Sequence, residues 1–159
     1  MKVEQIYTSC LSQGAYFIES NGEAAVIDPL REISSYLKLA EDSNSKIKYV
    51  FETHFHADFI SGHLTLANKT GAKIVYGPQA DPNFESIIAE DNQVFKIGAV
   101  TITAIHTPGH TLESTSYILK DENGKEHCIF TGDTLFLGDV GIPDVAQRYM
   151  GVSKEELAG

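Results

Sequence analysis

The stretch Thr53-His54-Phe55-His56-Ala57-Asp58-Phe59-Ile60-Ser61-Gly62-His63 sets His54, His56 and Asp58, all strong metal ligands, at strict alternation. Residues two apart point nearly opposite ways on a helix but the same way on an extended segment. These three therefore converge only if the chain is extended or looped here. Just upstream, Ile47-Lys48-Tyr49-Val50-Phe51 reads as a short buried strand, rich in β-branched and aromatic types. The ligands would then sit at the carboxyl end of a strand, where open sheets place their sites. A single histidine near a strand end is usually just a hydrogen-bonded side chain. Two histidines and an aspartate in alternation, flanked by small Ala57, Ser61 and Gly62, favour a metal.

Two distant segments repeat the design. Thr107-Pro108-Gly109-His110-Thr111 and Thr131-Gly132-Asp133-Thr134-Leu135-Phe136 each place a candidate ligand after a glycine, directly downstream of an apolar, strand-like run. Without a Cβ, Gly109 and Gly132 would permit unusual φ or a close backbone approach. His54, His56, Asp58, His110 and Asp133 together make an imidazole and carboxylate set without sulfur, which suits Zn, Fe or Mn. Phe59 cannot bind metal, so a second ion would lack an obvious imidazole and one ion is expected. His63, His106 and His127 are assigned structural roles, His106 packing and orienting the turn before His110.

Outward from the central stretch, Val3–Thr8, Ala15–Glu19 and Glu23–Asp28 read as strands, the last two joined by an Asn21-Gly22 hairpin turn. Leu30, Ile33, Leu37 and Ala40 trace the apolar stripe of a helix over Leu30–Glu41. A second helix is expected from an N-cap at Ser61 to a stop at Gly71, then a strand over Lys73–Tyr76. Strand, ligand loop, helix and strand form a βαβ unit, which predicts a parallel pair. Residues 77–92 read as an irregular connection, and Val94–Ile97, Val100–His106, Ser114–Leu119 and His127–Thr131 as four more strands. The fold class is α/β, two packed sheets covered by helices.

At 159 residues with 42% hydrophobic content, the chain suits one domain, residues 1–159. A formal charge of -10 argues against phosphate-backbone binding, so no nucleic-acid partner is expected. The sequence has no apolar run long enough to span a bilayer, and Met1-Lys2-Val3-Glu4 begins an alternation instead of a signal peptide. A cytoplasmic protein without a membrane partner is the expectation. Cys10 and Cys128, far apart, read as buried free thiols on strands.

The three motifs, in this order, resemble those of the metallo-β-lactamase superfamily. More narrowly, Glu52-Thr53-His54-Phe55-His56-Ala57-Asp58-Phe59-Ile60-Ser61-Gly62-His63, with Glu113-Ser114 and Phe130-Thr131-Gly132-Asp133-Thr134-Leu135-Phe136, is similar to the persulfide dioxygenase branch, found in bacteria alone or fused to rhodanese-like domains. The resemblance implies an αββα sandwich with one Fe(II), Zn being the alternative, held by His54, His110 and Asp133. His56 is implied as a fourth ligand or a group beside the ion, and His56 and Asp58 as the catalytic residues, Asp58 holding a neighbouring imidazole or water. The implied reaction oxidises a small thiol persulfide with O2 to sulfite and the parent thiol, with a rhodanese-like partner. The alternatives are a Zn-dependent thioester hydrolase of the glyoxalase II type and a non-catalytic metal-binding or interaction module. Ile142 stands where that branch commonly has Arg before Pro143-Asp144, removing a cation that could engage the thiol carrier. Family domains also continue beyond residue 159, and Ser153-Lys154-Glu155-Glu156-Leu157 reads as a helix start. A domain lacking its C-terminal portion is expected, with an uncovered sheet face that favours a homo-oligomer.

Overall fold

The computed structural model describes residues 1–143 and Ser153. Ten strands, two α-helices and a 3₁₀ turn make up the described chain. The first sheet has six strands in sequential order: β1 (Lys2–Thr8), β2 (Gln13–Ser20), β3 (Glu23–Ile27), β4 (Lys46–Phe51), β5 (Lys73–Tyr76) and β6 (Ile87–Ile88). Pairing is antiparallel from β1 to β3 and parallel from β3 to β6. The second sheet is antiparallel and runs β10 (Glu126–Phe130), β9 (Thr115–Lys120), β8 (Val100–His106), β7 (Val94–Ile97).

Helices α1 (Ser34–Asp42) and α2 (His63–Thr70) cover one face of the first sheet. Tyr36, Ala40 and Leu66 pack there on Phe17, Val26, Ile47 and Val50. The other face meets the second sheet through Ile18, Ile27, Phe51 and Val75 against Phe95, Ile97, Ile102, Tyr117 and Leu119. Phe51 is the hinge of this core, its ring centroid 5.3 Å from Phe95 and 4.9 Å from Tyr117. A register shift between β3 and β4 skips Lys48 in the pairing of the two strands, so Ile47 and Val50, three residues apart, both reach the helix side. No described helix lies on the outer face of the second sheet, where Val94 and Ile129 are more than half exposed.

The Asn21-Gly22 turn has φ of +48° and +77°, the left-handed pair a tight hairpin needs. Helix α1 begins at Ser34, later than its apolar stripe predicts, because Leu30 forms a β-bridge to Ser61. Helix α2 is capped by Gly62 rather than Ser61; the Ser61 hydroxyl lies 2.6 Å from Glu52 Oε1 and 3.0 Å from the Pro29 carbonyl. Within the expected irregular connection, Ile87–Ile88 adds a short parallel edge strand that local pattern does not reveal. Cys10 lies exposed in the β1–β2 turn and Cys128 is half-buried, neither as the buried thiol expected. No described helix is long and apolar enough to cross a membrane. The helix expected from Ser153 to Leu157 lies outside the described residues, Ser153 apart.

Candidate metal centre

The chain leaves β4 at Phe51 and bends at Thr53 and His54, held on each side by backbone bonds. Glu52 N–H donates to Val75 O at 2.9 Å and Thr115 N–H to Thr53 O at 2.8 Å. Tyr117 donates its hydroxyl to Glu52 O, and Phe55 N–H donates to Glu113 Oε1. A loop with its polar groups satisfied in this way presents His54 from a fixed base.

Asp28, directly after β3, takes two bonds from Thr53: the backbone N–H at 2.8 Å and the hydroxyl at 2.8 Å. The hydroxyl has one proton, and it is committed to Asp28. At 3.0 Å from His54 Nδ1, Thr53 Oγ1 can then only accept, so Nδ1 carries the imidazole proton and Nε2 keeps its lone pair. His110 is set the same way from another direction. Its Nδ1 lies 2.9 Å from the Ile142 carbonyl, which can only accept, so its Nε2 is also a lone-pair donor to metal. Burial, chiefly, with nearby His56 lowers the His54 pKa to about 4, which favours the neutral ring.

Both Nε2 atoms face Asp133 Oδ2, at 3.9 Å from His54 and 3.6 Å from His110. The three ligand atoms lie within 4.8 Å of one another. Two lone pairs and a carboxylate oxygen directed at one point repel unless a cation joins them, and this donor set suits a borderline divalent ion such as Zn. The residues therefore fit a metal.

The structure brings His54, His110 and Asp133 together, while His56 turns elsewhere. Its Nε2 lies 3.1 Å from Asp28 Oδ1 and 3.5 Å from Glu52 Oε2, within ion-pair reach but without hydrogen-bond geometry. Burial opposes a charge on this ring, but Asp28 and then Glu52 outweigh it and raise its pKa to about 9. Burial pushes the Glu52 carboxyl upward; for Asp28, burial is overcome by His56 and the Thr53 N–H, and its pKa is lowered. Asp58 is exposed and stands in the cleft beside Asp133. His63 stacks on Phe84 at 5.0 Å, with Nδ1 3.4 Å from Glu52 Oε1. His106 Nε2 donates to Leu112 O and so shapes the turn carrying His110, as its position in the sequence predicts.

Gly132 has φ of +49°, and a Cβ there would lie 2.3 Å from Thr53 Oγ1. The unusual φ expected of this glycine is present, while the close neighbour is the Thr53 side chain and not another backbone; the missing Cβ lets the Asp133 loop meet the Thr53–His54 segment. At Gly109 an added Cβ would meet nothing within 4 Å. Sequence reading overlooked Asp28 and Glu52 as parts of the site. The available signal was an acidic residue directly ending each of two adjacent apolar strands, Ala24-Ala25-Val26-Ile27 and Ile47–Phe51.

Residues 9–158 match the family model described as the metallo-beta-lactamase superfamily. Among relatives, the cytoplasmic hydroxyacylglutathione hydrolase of Arabidopsis thaliana is 35% identical, covering 85% of this chain and 54% of its own length. The hydroxyacylglutathione hydrolase of Dictyostelium discoideum is 38% identical over 77% of this chain and 47% of its own. Among solved structures, a metallo-beta-lactamase from Staphylococcus aureus subsp. aureus COL superposes with a TM-score of 0.84 at 37% identity, covering 91% of this chain and 47% of that one. ETHE1 from Myxococcus xanthus gives 0.78 at 27% identity, over 89% and 61%. The chain belongs to the metallo-beta-lactamase superfamily and has its fold. It spans about half the length of the curated relatives it matches.

These relatives correct the expected activity. Proteins between 30% and 38% identical are named hydroxyacylglutathione hydrolases, which are hydrolases and not sulfur dioxygenases. The physical reason the sequence misleads is that a sulfur-free imidazole and carboxylate set accepts several divalent ions, so the ligands alone do not select iron and oxygen chemistry.

Proposed function

We propose that this member of the superfamily carries the metal centre of a metal-dependent thioester hydrolase of the hydroxyacylglutathione hydrolase kind, with His54, His110 and Asp133 holding one divalent ion, zinc by preference. The observation that carries the reading is the convergence of two Nε2 lone pairs and one carboxylate oxygen within 4.8 Å, in a chain whose relatives are named for that hydrolysis.

An ion bound there supplies Lewis acidity, polarising a carbonyl and making water more acidic. The protein's own groups do the rest. Asp28 and Thr53 fix the His54 ring, and the Ile142 carbonyl fixes the His110 ring, so neither must reorganise. His56, with its charge balanced by Asp28 and Glu52, packs at 4.2 Å against the His54 ring and holds it from the cleft side. Asp58, exposed in the same cleft as Asp133, is the carboxylate assigned to take a proton from the attacking water.

The test is thiol release from a 2-hydroxyacyl thioester of glutathione by the full chain. Zinc-loaded protein is expected to release thiol, to lose the activity on chelation, and to regain it on zinc addition. Absence of thiol release, or release indifferent to chelation, would overturn the reading and leave a metal-binding module.

A further inference from the structure

Large apolar side chains that stay exposed are normally scattered singly. Here Tyr7, Leu11, Ile129, Leu135, Phe136 and Leu137 are all 40% exposed or more, and all line one cleft of about 750 Å³. Its walls come from both sheets. Tyr7 and Leu11 belong to the end of β1 and its turn, Ile129 to β10, and the other three to the segment after the Gly132–Thr134 turn. At the base stand Asp133 of the metal triad and Phe59, whose ring lies 4.3 Å from that of His56.

Charge narrows what such a cleft accepts. Asp28, Asp58 and Asp133 line it, whereas no lysine or arginine does among the described residues. His56, also on the lining, has its charge balanced by Asp28 and Glu52, so the carboxylates left facing the cleft disfavour a carboxylate or phosphate there. The volume lies within the range of small-molecule sites, and more of the lining surface is apolar than polar.

We propose that this cleft is an acyl-binding site, selecting thioesters whose acyl group is apolar and extended or ring-sized over those with short hydroxylated or anionic ones. The proposal rests on the hydrolase reading for its chemistry. Water oxygen bonds to the acyl carbon, the carbon–sulfur bond breaks, and sulfur leaves with a proton from water as the free thiol. No oxidant or reductant is needed. The reacting carbonyl lies at the Asp133 end, and the acyl chain runs out between Tyr7 and Leu137.

The experiment holds the carrier constant and varies the acyl group: acetyl, 2-hydroxypropanoyl, hexanoyl and 2-naphthoyl thioesters of neutral N-acetylcysteamine, with the zinc-loaded full chain. From acetyl to hexanoyl, kcat/KM is expected to rise by about fourfold for each methylene covered. Leu11→Gln and Leu137→Gln, at exposed positions that the fold does not need, are expected to flatten that rise. In parallel, the unreactive S-hexyl and S-methyl thioethers of N-acetylcysteamine are titrated by calorimetry, with the hexyl compound binding at least about tenfold tighter. If no thioester is hydrolysed yet the hexyl compound still binds tighter, the hydrolase reading fails and the acyl site stands. Equal binding of the two thioethers, or a preference for the 2-hydroxypropanoyl thioester over the hexanoyl one, overturns the acyl site.

Discussion

The two sides of the metal triad are built differently. His54 is buried and rests on a relay, Asp28 to Thr53 to His54 Nδ1, anchored in two adjacent strands of the first sheet. His110 and Asp133 come from loops beyond the second sheet, and their side chains are 14% and 42% exposed. Among the described residues the His110 ring has one hydrogen bond, to the backbone carbonyl of Ile142 in an exposed segment. The difference teaches that half of the centre is set by the fold's core, while the other half rests on exposed loops outside it.

The sharpest way to break this contrast is to damage the core beneath His54. Phe51→Ala removes a ring packed between Phe95 and Tyr117 and is expected to cost about 3–5 kcal/mol of stability. Leu137→Ala on the loop side, fully exposed, is expected to change stability by less than about 0.5 kcal/mol. Urea denaturation of both variants checks the pair; similar losses would mean the loop side is as integral as the core.

A smaller effect tests the relay itself. Thr53→Val keeps the shape but deletes the hydroxyl between Asp28 and His54, and zinc affinity is expected to fall by about 10–100-fold. Ile142→Ala leaves the carbonyl in place and is expected to leave affinity unchanged. Competition with a chromophoric chelator measures both. An unchanged Thr53→Val affinity would show that the His54 ring needs no fixing.

The smallest effect comes from where the two sheets are tied together by Glu23. Its Oε2 accepts the Gly98 N–H at 2.8 Å and pairs with Lys48 at 3.0 Å. The Gly98 bond first, and Lys48 second, hold its pKa below the ordinary glutamate value. A lowered folded-state pKa means the contribution is present above about pH 4.5 and fades as pH falls through the folded value. Glu23→Gln is expected to remove that part of the acid dependence and leave zinc affinity alone, as read from denaturation midpoints across pH 3–6. An unaltered acid profile would show that this tie adds nothing.

The same asymmetry explains what the sequence discloses. Local periodicity and turn chemistry reveal the hairpin at Asn21-Gly22, the parallel β4–β5 pair and the strands of the second sheet, because each is encoded within a few residues. His54, His110 and Asp133 are legible because glycine and strand context mark them. Asp28 and Glu52 are not, because their role depends on two strands lying side by side, a long-range fact that no window contains. His56 shares the alternation of His54, yet it faces Asp28 and Glu52, since the chain bends at Thr53 and His54 and alternation no longer sets direction. Edge strand β6 escapes for the opposite reason: two residues carry too little pattern.

Strand β4 has hydrogen-bonded neighbours on both flanks and is sealed above and below by helices and by the second sheet. Its amides can meet deuterated solvent only when the whole sandwich opens. His54, three residues beyond this strand, is thus rooted in the most enclosed part of the fold. An ion seated beside it would meet solvent on the side of the more exposed His110 and Asp133.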